Sequence, residues 1–595
     1  MDKIRREIFF AALVLFGAVW AVWFQTGGFE YIRLDDNLFV FEYPAVAGGL
    51  TAEGIRGVFS NFTQGGIWMP LTSITYMVDI TLWGATPKAH HLSSVAWHSI
   101  NAMLVFSLFL RLAKSWEKKR RDGRSHAVFS CMLAALFWAI HPLRNESVAW
   151  IASRKDLVFT FFTLLGLHAW LARSFMMRIC GMICCLLSCL SKPTAMVFPF
   201  VALIVELLDG SPGGSFKIRL RHIRWRHYAP LVLMSIATGL IAVYSQTHVT
   251  GIDVEVRGLN EGYGSFLWRC LNAVVAIGLY VAQTAVPVGI HVMYRSVVNG
   301  APHGMWIGLS VVFTAVILLC AYARKRKGMD FLLPVLAAVW FIVAVGPTLG
   351  VAGGFGDQAR ADRFLYLPSV AFSLLIAWTL VKLRLDRVWQ IACVLPVAVY
   401  GIAAWWNAKT YATDYTLFSR VLEWDDRHSL ALAHVGSELC VRYGMPDEGI
   451  ECFRRALEAN PMAENTASQL VFALATRGRR EDHDEIRRYC PKLLSNPELD
   501  EMGMATEALG MVAMKEMKWD EAIRFFNASI QACKRRHSFD TAMIRLGMCY
   551  HNKGDLDRAE RVFAYLAHSA TDLRVKERSQ RALKDIWKRK GTAKQ

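Results

Sequence analysis

The chain has 595 residues, 54% of them hydrophobic and only 19% charged, with a mean hydropathy of +0.28 and a formal net charge of +18. Soluble chains carry roughly 25% charge, so the composition excludes a disordered protein and an enzyme that is soluble throughout. What remains is a membrane part with a polar part attached.

The 13 Cys form no CxxC pair and no metal-ligand spacing. Cys180, Cys184, Cys185, Cys189, Cys320 and Cys393 sit inside apolar runs and read as small buried hydrophobes. The charge excess lies almost wholly in residues 1–410, in short loops between apolar runs. That is the positive-inside pattern of membrane orientation rather than a nucleic-acid footprint, and no nucleic-acid partner is expected.

A spanning helix needs about 20 apolar residues. Candidate runs are 7–26, 92–112, 128–142, 155–172, 177–191, 194–208, 229–246, 304–323, 330–350, 365–383 and 388–406. No small-residue cleavage site follows the first run, so it reads as an anchor. Basic clusters fall at Lys3/Arg5/Arg6, Lys118 to Arg121, Lys217 to Arg226, Arg324 to Lys327 and Lys382/Arg384/Arg387. Eleven spans with a cytoplasmic N-terminus place all of these on one side. Counting 264–286 as a span breaks that parity, so this segment is expected to lie at the outer interface or to re-enter. Loops 27–91, 143–154, 247–303 and 351–364, and everything after 407, then face the other side.

The first outer loop opens Tyr31-Ile32-Arg33-Leu34-Asp35-Asp36-Asn37. Adjacent carboxylates repel, which raises one pKa. That suits a general base for an alcohol or a ligand for a hard divalent cation, although Asp-Asp-Asn is most often a turn. Thr51 caps a surface helix. Pro87 opens a helix carrying His90, His91, His98 and Asn101. His91 and His98 share a face, weak evidence for a metal against backbone-bonded interfacial histidines.

The stretch His141 to Asp156 holds Glu146, and Ser153 with Asp156 reads as a capping box. Arg154 and Lys155 stand at an outer helix start, where the helix dipole and the sidedness of charge both disfavour cations. A lipid phosphate bound there would satisfy them and the free amides. Lys192 before Pro193, and Arg360 and Arg363 before Leu365-Tyr366-Leu367-Pro368, repeat the theme. Snorkelling to lipid headgroups is the equal alternative.

After Trp405-Trp406 the composition turns to Ala, Glu, Arg and Leu. Leu546-Gly547, Tyr550, Ala559 and Phe563 follow the tetratricopeptide pattern. Leu509-Gly510, Ala522 and Phe526 repeat it, as do Gly449, Phe453, Ala456 and Pro461, and a degenerate copy ends at Asn496-Pro497. Such solenoids offer a concave surface for peptides.

The motif series Leu34-Asp35-Asp36, Gly49-Leu50-Thr51, Trp68-Met69-Pro70-Leu71-Thr72, His90-His91-Leu92, His98 with Asn101, His141-Pro142-Leu143 through Glu146-Ser147-Val148-Ala149-Trp150 to Arg154-Lys155-Asp156, Lys192-Pro193 and Arg363 to Pro368, followed by repeats, resembles one family. It is similar to the transmembrane and tetratricopeptide-repeat-containing O-mannosyltransferases and their bacterial relatives, which are GT-C glycosyltransferases. The chain departs from them in having about four repeats, in Ser93-Ser94, and in Arg144-Asn145.

The resemblance implies an all-α fold, a GT-C-type membrane bundle of about 11 spans over 1–407, then repeats over 408–590 and a tail at 591–595. It implies inverting transfer of a sugar from a polyprenyl phosphate to Ser/Thr hydroxyls of an acceptor protein held by the repeats. Asp36, or Asp35, is the expected base. Arg154, Lys155, Lys192 and Arg363 are expected at the donor phosphate, and His91, Glu146 and Tyr366 at acceptor or sugar. No cofactor is firmly implied; a divalent metal would draw on Asp35, Asp36, His90 and His91. The expected setting is a bacterial inner membrane with periplasmic repeats, or the endoplasmic reticulum in a eukaryote. Transfer to a lipid or glycan, and a non-catalytic membrane-anchored scaffold, are the alternatives.

Overall fold

The computed structural model describes residues 2–116, 124–209, 216–248, 266–294, 302–325, 329–351, 360–383, 385–494, 503–532, 536–570 and 573–592. These residues are helical and form no strand; one isolated bridge joins Tyr294 and Arg360. Lys118 to Arg121, residues 249–265 and 295–301 of loop 247–303, Arg326-Lys327, residues 352–359 of loop 351–364, Arg384, Asn496-Pro497 and the last three residues of the tail lie outside the described residues. The chain forms two compact units, Met1–Leu417 and Phe418–Gln595. Residues 408–417, expected with the repeats, therefore belong to the first unit.

Among the described residues of the first unit, five helices are long and apolar enough to cross a membrane: Lys3–Gly28, Pro87–Lys114, Trp225–Thr247, Phe266–Ala285 and Val388–Tyr411. A sixth candidate is broken, with His126–Ala139 and Pro142–Ala149 meeting at a bend of 56°. The break has a local cause: Pro142 lacks an N–H and pushes His141 into an extended conformation (ψ 139°), and the His141 ring accepts from the Leu143 N–H instead. Phe175–Ser191, Pro193–Leu208, Trp306–Leu318, Leu332–Thr348 and Val370–Leu383 are shorter apolar helices of 10–17 residues. The chain is thus a helical membrane protein by composition and element length.

Segment 264–286, expected at the outer interface or re-entering, is largely helical. Phe266–Ala285 is one unbroken helix with the length and apolarity of a span. It packs backbone to backbone on the helix Pro302–Lys325: a Cβ on Gly278 would lie 2.0 Å from the carbonyl oxygen of Gly308. Close approach at small residues is how helices associate where lipid removes the hydrophobic drive.

The second unit stacks helix pairs: Ser429–Val441 with Pro446–Ala459, Glu464–Arg477 with His483–Leu494, Met504–Lys515 with Trp519–Ala532, and Arg536–Lys553 with Leu556–Ser569. The helix Leu573–Thr592 closes the stack, burying Val575, Leu583 and Ile586 alongside Phe563 and Leu566. The repeat signature is a packing rule. Each small residue on a first helix receives an aromatic ring from the second: Phe526 at Gly510, Phe563 at Gly547, and Phe453 at Gly436, a glycine the pattern match passes over. Ala522 and Ala559 are fully buried for the same reason.

A Cβ at Gly510 would lie 2.8 Å from the Phe526 ring. Overpacking of this kind costs about 1–3 kcal/mol, so Gly510→Val is expected to lower the denaturation midpoint of the repeat unit, read by circular dichroism. Gly591→Ala, where nothing lies within 4 Å, is expected to leave it unchanged.

Candidate active site

Loop 27–91 turns after the first long helix, and Asp36 fixes the turn. Its side chain is fully buried. One carboxylate oxygen accepts from the Ile32 N–H at 2.8 Å and the other from the Ala152 N–H at 2.8 Å. The carboxylate thus ties its own loop to the turn that precedes the helix Arg154–Leu171. Burial pushes its pKa up to about 7, against the two backbone hydrogen bonds, which favour the charged form; Asp35 and Asp414 push the same way as burial. A carboxyl raised in the folded state stabilises the fold while protonated, and that contribution falls away as pH rises through about 7.

Asp35 is placed differently. Its side chain is 29% exposed and faces Lys155 Nζ at 4.0 Å. The chain that follows the last long helix braces the same loop: Ala412 O accepts from Glu30 N–H at 2.9 Å, and Asp414 accepts from Arg33 N–H at 2.8 Å.

Arg154 and Lys155 are adjacent in sequence but do opposite things. The Arg154 guanidinium is fully buried and pairs with Asp79 at 2.6 Å. It also donates to Ser94 Oγ at 3.2 Å and to the His90 carbonyl at 2.6 Å, and it stacks 4.6 Å over Tyr76. Asp79 also meets His90 Nδ1 at 3.0 Å. Burial raises the Asp79 carboxyl, but the His90 hydrogen bond and the Arg154 charge outweigh it and hold the group below its usual range. Arg154 therefore locks the helices Pro70–Trp83 and Pro87–Trp116 to the start of Arg154–Leu171, with its charge neutralised internally. The expected donor-phosphate contact from Arg154 does not fit this geometry.

Lys155, Lys192 and Arg363 form one cationic cluster with three carboxylates. Lys192 Nζ donates to Asp156 at 2.6 Å, and Arg363 is paired through its guanidinium and its backbone N–H with Glu146. Aromatic rings line the cluster: Lys155 lies 4.8 Å from the Phe39 centroid, Lys192 5.5 Å from Phe364, and Arg363 5.0 Å from Phe364 and 5.2 Å from Trp150. The capping box expected at Ser153 and Asp156 does not form. Ser153 makes no side-chain cap, and Asp156 serves Lys192 instead.

The remaining expected residues are dispersed. Glu146 is in the cluster as the partner of Arg363, which leaves it less available to a sugar. Tyr366 is buried in a separate network, bonded to His98 Nδ1 at 2.6 Å and to Asn101 at 3.2 Å. His91 is fully buried, with Nε2 3.3 Å from the Glu30 carbonyl oxygen. Asp36, His90 and His91 each point to different internal partners, and no group of three or more metal-ligating side chains converges among the described residues. The expected metal set is not brought together. Asp79, Trp150, Phe364 and Asp414 belong to the site but were not singled out. Asp79 and Asp414 carry no local signal, since their partners lie 75 and 381 residues away in the chain.

No family model matches the chain. A Caenorhabditis elegans protein O-mannosyl-transferase is 23% identical over 323 residues, 53% of this chain and 42% of that protein. The human protein O-mannosyl-transferase TMTC4 is 32% identical over 101 residues, 17% of this chain and 14% of its own length. Mouse protein O-mannosyl-transferase TMTC3 is 29% identical over 97 residues, 16% and 9%. The chain spans less than half the length of these curated relatives, and it resembles protein O-mannosyl-transferases at low identity. Yeast Tom70 aligns over 82% of this chain and 96% of its own at 11% identity and a TM-score of 0.21, and no fold assignment rests on it.

Removing one partner of a buried ion pair strands the other charge at a cost of about 3–5 kcal/mol. Arg154→Met is therefore expected to reduce folded, membrane-inserted protein severely, measured by fluorescence-detected size-exclusion chromatography. Pairing it with Asp79→Asn is expected to recover most of that loss.

Proposed function

We propose that the chain is an integral-membrane glycosyltransferase of the protein O-mannosyltransferase kind. It moves a sugar from a polyprenyl-phosphate donor to Ser/Thr hydroxyls of a protein on the non-cytoplasmic face. The observation that carries this reading is the partly exposed Asp35 carboxylate beside a buried cluster of Lys155, Lys192 and Arg363. The similarity to named protein O-mannosyl-transferases supports the reaction class and mannose as the sugar.

The chemistry is a single displacement. Asp35 takes the proton of the acceptor hydroxyl, whose oxygen bonds the anomeric carbon while the bond from that carbon to the phosphate oxygen breaks. The leaving polyprenyl phosphate keeps the electron pair, and Lys155, Lys192 and Arg363 meet its charge. Cations already fixed in a dry site need no reorganisation as charge develops. Asp36 is fully buried and each of its oxygens already accepts a backbone amide, whereas Asp35 is within reach of an acceptor, so Asp36 is the positioning residue and Asp35 the base. Eleven spans with a cytoplasmic N-terminus put this site and the repeats outside, where the repeats would hold the acceptor. A bacterial inner membrane and the endoplasmic reticulum provide the same geometry.

A general base contributes about 10²–10⁴-fold. Asp35→Asn is expected to lower turnover by that factor at matched folded protein, with transfer read by mass spectrometry of the acceptor. Asp36→Asn has one oxygen for two amides and is expected to act first on stability. Near-normal transfer by Asp35→Asn would remove the base from this mechanism.

A further inference from the structure

Two polar atoms in the cationic cluster are buried without a protein partner among the described residues: the indole N–H of Trp150 and the second carboxylate oxygen of Asp156. Both residues are 2% exposed. The large majority of buried side-chain polar atoms are paired, and leaving one unpaired costs free energy. These two sit around the same ring. Arg363 bridges Trp150 and Phe364, and Lys192 bridges Phe364 and Asp156, with the first oxygen of Asp156 already bonded to Lys192.

The pairing of types is informative. The Trp150 N–H can only donate, and the second Asp156 oxygen, whose companion oxygen accepts from Lys192, is an acceptor. A phosphate would suit the first and be repelled by the second. A polyol suits both, since a hydroxyl accepts from one and donates to the other. The Phe364 and Trp150 rings add apolar faces of the sort that receive the C–H face of a sugar ring.

We propose that Trp150 and Asp156 form the subsite that reads hydroxyls of the transferred sugar, while Lys155, Lys192 and Arg363 take its phosphate. This rests on the glycosyltransferase reading above and replaces His91 and Tyr366 as the sugar contacts. The proposal assigns the two atoms to two different hydroxyls, because they stand beside different cations, Trp150 at Arg363 and Asp156 at Lys192.

Trp150→Phe tests it, because it removes the indole N–H while keeping an aromatic ring beside Arg363; the lost second ring leaves a cavity, so rates are compared at matched folded protein. The full chain in nanodiscs would be assayed with polyprenyl-phosphate mannose and with donors each lacking one sugar hydroxyl. The expected result is a lowered denaturation midpoint, a fall of about tenfold in kcat/KM for the intact donor, and equal use by wild type and variant of one particular deoxy donor. Asp156→Asn is expected to show the same pattern with a different deoxy donor, and it keeps the test open should Trp150→Phe fold poorly. Wild-type kinetics with every donor, or equal losses with every deoxy donor, would overturn the subsite while Asp35→Asn still abolished transfer. No transfer from any polyprenyl-phosphate donor by wild type would overturn the glycosyltransferase reading and the subsite with it.

Discussion

One carboxylate holds the outer face of the membrane unit together. Asp36 accepts from an amide four residues before it and from another 116 residues after it, which draws the first outer loop onto the turn that begins the helix Arg154–Leu171. With that contact made, Asp35 has no choice but to face Lys155, and the loop can be braced a third time through Asp414. A charge so deeply buried would ordinarily be costly. Two amide donors compensate part of that cost, and the raised pKa shows what remains uncompensated.

The cluster beyond Asp35 is built from three pairings of unequal strength. Asp156 with Lys192 and Glu146 with Arg363 are in direct contact, whereas Asp35 and Lys155 stand 4.0 Å apart with Asp35 partly in solvent. The tight pairs fix cations that would otherwise repel one another inside a low-dielectric wall. The loose pair is the one that can open to an incoming group without leaving a charge stranded. The fold decides which of these groups are already spent on each other.

What was legible in the sequence follows from local rules. The apolar runs, the Thr51 cap and the small-residue and aromatic signature of the repeats each depend on neighbours within one element or one helix pair. What was not legible depends on partners far along the chain. Asp36 looked as available as Asp35 until its Ala152 contact was known. Arg154 looked like an anion site because Asp79 is 75 residues away, and the Ser153–Asp156 capping box was displaced by a stronger partner in Lys192. Helix 266–285 has the length and apolarity of a span, as its composition suggests, and its contact at Gly278 and Gly308 is invisible to a charge count.

The central claim is a direct displacement in which one outer carboxylate acts only as a base. Its most direct test is the anomeric configuration of the product, read from the C1–H1 coupling in the NMR spectrum of the glycosylated acceptor and compared with that of the polyprenyl-phosphate donor. The account predicts inversion, a β-linked donor giving an α-linked product. Retained configuration would mean that a carboxylate attacks the sugar first and forms a covalent intermediate, and would contradict the mechanism built on Asp35.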